Sequence, residues 1–273
     1  MLYFSEQSPD TAKAGKGLRM RRRVIVRRRV SKVKPADTEK LEGFNPSVLG
    51  LGDIALPSKE VEAIAAIFDL ARFTTFCNQV DPHLVVPKYL SNFLDWLFGE
   101  IRARLTEGGY GEDKKLWAEL PFFTKFLGDG VLLLWSTRGL TEPLICKIVA
   151  TLYEIRSAYR NDFYPRISKA VDKPPSILRC GIARGRVFSV GNGNDYIGHC
   201  INTASRLQKL SLLTFCFPHR GFNVQEYMRE DYRRLFVQKS VTIRGVGENE
   251  LIWLIKEEFD RLPEKSRELF RSL

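Results

Sequence analysis

The sequence is poor in several residue types that mark common functional classes. It has three histidines and five cysteines in 273 residues. Cys77, Cys146, Cys180, Cys200 and Cys216 stand singly, with no C-x-x-C pair, so a zinc site built from Cys and His is not expected, and reduced thiols are. No apolar run approaches the roughly 20 residues needed to cross a bilayer. The basic N-terminus lacks the apolar segment that would follow it in a secretory signal, so a cytoplasmic protein without a transmembrane segment is expected. Acidic residues are missing from positions 13–34, where eleven Lys and Arg gather, including Arg21–Arg23 and Arg27–Arg29. That stretch accounts for the formal charge of +11 and leaves the remainder balanced.

What is present is ordinary for a globular domain: 44% hydrophobic and 27% charged residues. The basic arm, residues 1–34, is expected to be flexible and to attract polyanions, nucleic acid or anionic lipid. Val24, Ile25, Val26 and Val30 between the arginines equally suit a charge-protected edge strand. Residues 35–57 read as a linker or covering loop, 58–256 as the principal domain, and 257–273 as a charged terminal helix.

Within the principal domain, residues 122–135 (FFTKFLGDGVLLLW) read as a β-hairpin, two apolar runs about a Gly128-Asp129-Gly130 turn. Asp129 at the tip suits a cation, and Lys125 lies inside an otherwise apolar strand. Residues 60–70 (EVEAIAAIFDL) predict a buried strand ending beside Asp69. Apolar residues at helical spacing predict helices over 84–105 and 140–163. Residues 108–119 are a loop. Strands are expected at 176–183 and 187–190, separated by an Arg184-Gly185 turn, and again at 212–217, 238–243 and 250–255. Helices are expected at 198–210 and 223–231. The alternation predicts an α/β (α+β sandwich) fold of ferredoxin-type βαββαβ core, its sheet covered by long helices on one face.

Four segments, in order, resemble the motifs of the class III nucleotidyl cyclase catalytic domain over roughly residues 61–254. Phe68, Asp69, Leu70, Ala71, Arg72, Phe73 and Thr74 resemble its first metal motif. Lys125, Gly128 and Asp129 match its K-x-x-G-D hairpin. Arg179, Gly181, Ile182, Gly185 and Val187 resemble its R-x-G-I-x-x-G-x-V strand. Asp195, Gly198, Asn202, Ala204 and Arg206 resemble its D-x-x-G-x-x-V-N-x-A-x-R segment.

The resemblance implies cyclisation of a nucleoside triphosphate, with the ribose 3′-hydroxyl attacking the α-phosphorus and pyrophosphate leaving. Because charge builds on phosphate oxygens, such a reaction is carried mainly by positioning and electrostatics. The resemblance implies two divalent cations per site, Mn²⁺ or Mg²⁺, held by Asp69, Asp129 and the Leu70 carbonyl. It implies catalytic roles for Asn202, orienting the ribose, and Arg206, facing the α-phosphate. Nucleotide contacts are implied for Phe68, Arg72, Phe73, Thr74, Lys125 and Asp195, and a homodimer with two equivalent sites. One basic residue of the family's V-K-G-K-G turn is replaced, since residues 243–247 read I-R-G-V-G; Arg72, standing where the family has glycine, is the substitute cation.

For the base, two indications diverge. Lys125 and Asp195 are the residue types with which the family's adenylate cyclases read adenine. The compact layout, the basic arm and the segment DYIGHCINTASRLQKL resemble the pyrimidine cyclases of bacterial Pycsar anti-phage systems. Uridine triphosphate is therefore the expected substrate, ahead of CTP or ATP, with Phe126, Tyr196 and Arg72 narrowing the pocket. The alternative from another class is a basic nucleic-acid-binding module; it leaves Asp69, Asp129, Asn202 and Arg206 without a task.

Overall fold

The computed structural model describes residues 42–107, 115–210 and 212–271. The basic arm, its possible edge strand and residues 108–114 of the expected loop lie outside the described residues. Contacts divide the chain into Met1–Val48 and Leu49–Leu273. The described end of the first unit is fully exposed.

The second unit begins its regular structure with β1 (Glu60–Leu70), followed by a one-turn helix α1 (Phe73–Cys77) and the long helix α2 (Pro82–Leu105). Next come β2 (Thr106–Glu107), β3 (Lys115–Leu116), β4 (Phe123–Phe126) and β5 (Gly130–Ser136). Helix α3 (Glu142–Ala158) runs through a π-helical turn (Tyr159–Phe163) into α4 (Tyr164–Ile167). Then follow β6 (Leu178–Val190), β7 (Asp195–Ile197), α5 (His199–Leu207), β8 (Phe215–Pro218), α6 (Val224–Tyr227) and α7 (Glu230–Arg233). The chain closes with β9 (Phe236–Ile243), β10 (Gly247–Ile255), α8 (Lys256–Asp260), α9 (Glu264–Arg267) and β11 (Phe270–Arg271).

One sheet takes the order β11-β9-β10-β8-β6-β1-β5-β4, with β7 folded back onto β6. Its centre is β1, paired antiparallel with β5 and with β6. Both faces of β1 are covered, which is why its sequence is continuously apolar rather than alternating. Ile64, Ala66, Phe68 and Leu70 face the two long helices. Helix α2 presents Tyr89, Phe93, Leu97, Ile101 and Leu105 to them, one residue per turn. Ala63, Ala65 and Ile67 face the other way, where α5 packs with Cys200 and Ala204. The expected α/β sandwich, with its long helices on one face, is the fold observed.

Several local expectations are corrected. Residues 178–190 form one unbroken strand; Arg184 and Gly185 sit in register opposite Ile64 and Ala63 rather than in a turn. A glycine there gives room instead, since a Cβ at Gly185 would lie 3.3 Å from Cys200 Cβ. The C-terminal residues are two short helices and the edge strand β11, not one helix, because Leu262 and Phe270 turn back into an apolar cluster with Val241 and Leu254. The strand expected at 212–217 starts at Phe215, and the helix at 223–231 is two single turns. Part of the expected 108–119 loop, Lys115–Leu116, pairs with β2. All five cysteines are free thiols, and among the described residues no helix is long and apolar enough to cross a membrane.

Candidate active site

The end of β1 and the β4–β5 hairpin bring two carboxylates together. Asp69 pairs in register with Gly130, and the amide of Leu70 donates to the carbonyl of Asp129 at 2.8 Å. The approach is too close for a side chain on β5, because a Cβ at Gly130 would lie 2.0 Å from the Phe68 carbonyl oxygen. Gly128 takes φ +94 in the turn, a conformation that L side chains resist. These two glycines are the local reason that Asp129 arrives beside Asp69.

Asp69 is only 7% exposed. Burial raises its pKa above the ordinary aspartate value, and the Asp129 charge raises it further; Arg179 and Lys209 pull the other way. A buried carboxylate beside a second one is a site that favours a cation. Among the described residues no group of three or more His, Cys, Asp and Glu side chains gathers. Further oxygen donors would then come from the backbone, such as the Leu70 carbonyl, from water or from the substrate. Two hard carboxylate oxygens with a neighbouring carbonyl fit Mg²⁺ or Mn²⁺.

Immediately beyond, the amide of Ala71 donates to the Ile177 carbonyl at 3.0 Å, extending the β1–β6 ladder by one step. Arg72 then turns the chain with φ +64, a left-handed conformation costing an arginine on the order of 1 kcal/mol. Arg72 and Thr74 are exposed and Phe73 is half-buried. The first amides of α1 have no acceptor within the helix.

The second cluster lies on the same sheet face. Lys125 is in register with Leu132, and Leu132 with Ile67, so Lys125 stands two strands from β1, about 10 Å across the sheet. Its ammonium forms an ion pair with Asp195 at the start of β7. Asp195 also accepts the amide of Tyr196 at 2.9 Å, and the Tyr196 ring packs against Phe122 and Phe123 at centroid distances of 5.3 and 4.9 Å. Among the described residues no hydrogen bond or ion pair joins Lys125 and Asp195 to Asp69 and Asp129.

Helix α5 lies close on β6 because glycine leaves it room. A Cβ at Gly181 would lie 2.2 Å from the Ala204 carbonyl oxygen, and one at Gly198 would lie 2.6 Å from that of Arg186. With Cys200, Thr203, Ala204 and Leu207 buried, Asn202 and Arg206 emerge together on the exposed side.

The chain shares its fold with solved cyclase domains. The guanylyl cyclase Cya2 superimposes with a TM-score of 0.54 at 18% identity, covering 73% of this chain and 94% of that one. The adenylyl cyclase CyaB from P. aeruginosa gives 0.53 at 14% identity, covering 73% and 96%. A bacterial light-regulated adenylyl cyclase gives 0.50 at 17% identity, covering 81% of this chain and 60% of that one. This is the cyclase catalytic-domain fold. No protein-family model matches the chain. In sequence, guanylate cyclase beta of Plasmodium berghei is 28% identical over an alignment of 138 residues that covers 46% of this chain and 4% of that relative's length.

On the cyclase fold, the site residues read from the sequence divide into three groups. Asp69 and Asp129 adjoin, with Leu70, Arg72, Phe73 and Thr74 following in the chain. Lys125 and Asp195 meet, and Asn202 and Arg206 share a helix face. Phe68 is set apart: its side chain is fully buried toward the long helices and does not face the carboxylates. Strand parity carries the signal, since residues 68 and 69 must point to opposite faces. Two cations have no site role in the sequence reading, although Arg179 belongs to one of its motifs. Arg179 pairs in register with Asp69, and Lys209 acts on the same carboxylate from just beyond α5. Neither makes an ion pair with a carboxylate within 4 Å among the described residues. Val246, at the altered turn, packs with the apolar cluster around Ile243 and Leu207, so it serves packing and leaves Arg244 exposed.

Proposed function

We propose that the protein is a nucleotidyl cyclase, forming a 3′,5′-cyclic nucleotide and pyrophosphate from a nucleoside triphosphate. The observation that carries this reading is the buried Asp69 beside Asp129, flanked by Arg72, Arg179 and Lys209. A carboxylate pair with cations close by that make no ion pair among the described residues suits a metal–triphosphate complex. Asp69, Asp129 and the Leu70 carbonyl would hold two divalent ions, which supply charge neutralisation on the triphosphate and acidify the 3′-hydroxyl. The cations would receive the β and γ phosphates, the pyrophosphate that departs as the new bond to the α-phosphorus forms. Arg206 offers a forked donor to the charge growing on that phosphorus group, and Asn202 a ribose contact.

The resemblance to the class III cyclases supports a homodimer. Asp69 and Asp129 of one copy would work with Lys125, Asp195, Asn202 and Arg206 of a second, giving two equivalent sites. For the base we propose a pyrimidine, uridine first, in keeping with the Pycsar resemblance and an anti-phage messenger role. Lys125 donates to a ring carbonyl, and Tyr196, packed on Phe123 beside it, narrows the pocket; Phe126, expected to help, is in register with Val131 and Phe68 and so belongs to the other face of the sheet. The Lys125–Asp195 pair also favours a second reading: a donor beside an acceptor complements the edge of adenine, giving cyclic AMP.

Incubating the protein with all four nucleoside triphosphates and Mn²⁺, and identifying products by mass, tests both levels. Cyclic UMP is expected to dominate. Cyclic AMP as the main product would replace the base assignment, and no cyclic product from any triphosphate would sink the cyclase reading. Asp195→Ala should reduce UTP turnover less than tenfold, whereas on the adenine reading it should cripple ATP use, a loss of about 10⁴-fold where buried polar partners are left unpaired.

A further inference from the structure

A buried hydrogen-bond chain joins the long helices to the turn that follows Asp69. Tyr89 of α2 and Tyr159 of the π-helical turn are both 0% exposed, with their hydroxyls 2.6 Å apart. Tyr159 donates onward to the carbonyl of Pro175, so Tyr89 donates to Tyr159. Phenylalanine would fill either position without a hydroxyl to satisfy, so the two phenols serve a polar end. The π-helical turn itself is a local widening of the helix, and it brings Tyr159 and Phe163 inward together.

The segment that Tyr159 anchors is fastened to the turn after Asp69. The Ile177 carbonyl accepts the Ala71 amide at 3.0 Å, and Gln79 Nε2 donates to the Lys173 carbonyl at 3.0 Å. From the other side Phe76 of α1 meets the Tyr89 ring edge-on at 5.0 Å. Residues 71–79 are thus held at three points by one assembly, and between them lies Arg72 in its left-handed conformation. A strained residue keeps its conformation only where its surroundings fix it.

We propose that Tyr159 is a positioning residue: through Pro175 and Ile177 it fixes residues 70–74, the metal and phosphate end of the site. This rests on the cyclase reading for its consequence in catalysis, but its structural half stands alone. A misplacement of about 1 Å at such a site can cost on the order of 10²-fold in rate.

The test compares Tyr159→Phe with Tyr89→Phe in the full chain, by amide hydrogen exchange and by steady-state turnover with Mn²⁺. Tyr159→Phe leaves the Pro175 carbonyl without its partner; Tyr89→Phe leaves that bond in place. Tyr159→Phe is expected to speed exchange across residues 70–77 about tenfold while residues 182–187 stay as in wild type. Its kcat should fall about tenfold with KM changed less than twofold. Tyr89→Phe should change each by less than threefold. Equal exchange in Tyr159→Phe and wild type, a uniform rise along the chain, or equal kcat losses in the two variants would overturn the proposal. If the wild type cyclises no triphosphate, the cyclase reading falls while the exchange comparison still decides the positioning role. Should Tyr159→Phe fail to fold, Gln79→Ala removes a second anchor; unchanged exchange over residues 70–77 would then count against it.

Discussion

The two faces of the central sheet are built differently. On the face covered by α2 and α3, every inward residue is packed: Tyr89, Phe93, Leu97, Ile148, Leu152 and Tyr159 are all at most 1% exposed. The opposite face has one short helix over β1 and β6, and beyond its edge lie Lys125, Asp129, Asn202 and Arg206, half-buried or exposed. Apolar packing is complete where the molecule needs only stability. It stops around Asp69 and Asp129, where the proposed triphosphate would have to reach the backbone and carboxylates. The same strand, β1, serves both, with Phe68 turned one way and Asp69 the other.

Substitutions should break the faces apart by different measurements. Asp129→Asn is expected to abolish cyclisation with the fold intact, because a neutral amide is a poor ligand for a hard dication; product assay together with circular dichroism checks both halves. Phe93→Ala on the covered face should lower unfolding free energy by about 3–5 kcal/mol in a denaturant titration, with turnover per folded molecule preserved. Arg206→Ala should reduce kcat by about 10²–10³-fold, with KM changed far less and stability within about 0.5 kcal/mol.

The smallest effect sharpens the contrast most. Asp69 has its pKa raised by burial and by Asp129. A raised carboxylate contributes stability that is present below its unfolded pKa of 3.8 and lost as pH rises through the folded value. At neutral pH the ionised group is therefore a net cost to the metal-free fold. Asp69→Asn should inactivate the protein yet raise its Tm at pH 7, with the gain vanishing in acid. A lowered Tm would mean that Arg179 and Lys209 outweigh burial at this position.

The parts legible in the sequence are those whose signals are local. The hairpin at Asp129, the buried run ending at Asp69 and the Asn202–Arg206 spacing each fall within fifteen residues. The cations facing Asp69 were hidden because Arg179 reaches it through strand register across 110 positions, which no local pattern encodes. Arg184-Gly185 imitates a turn, and only the nearness of Cys200 shows that its glycine makes room for a helix. Residues 257–271 look helical by charge, but Leu262 and Phe270 are claimed by a distant apolar cluster.

The central place of β1 also governs how the molecule comes into being. β1 is made early, its partner β5 ends at residue 136, and its other partner β6 is complete only at residue 190. At a synthesis rate of roughly 5–20 residues per second, one edge of the most apolar strand stays open for about 3–11 s on the ribosome. Pairings this far apart in sequence also close slowly once the chain is free. The nascent protein is thus most exposed to aggregation and to holdase chaperones in that interval. No truncated product ending before β6 can contain the Asp69–Arg179 pairing on which the candidate site is built.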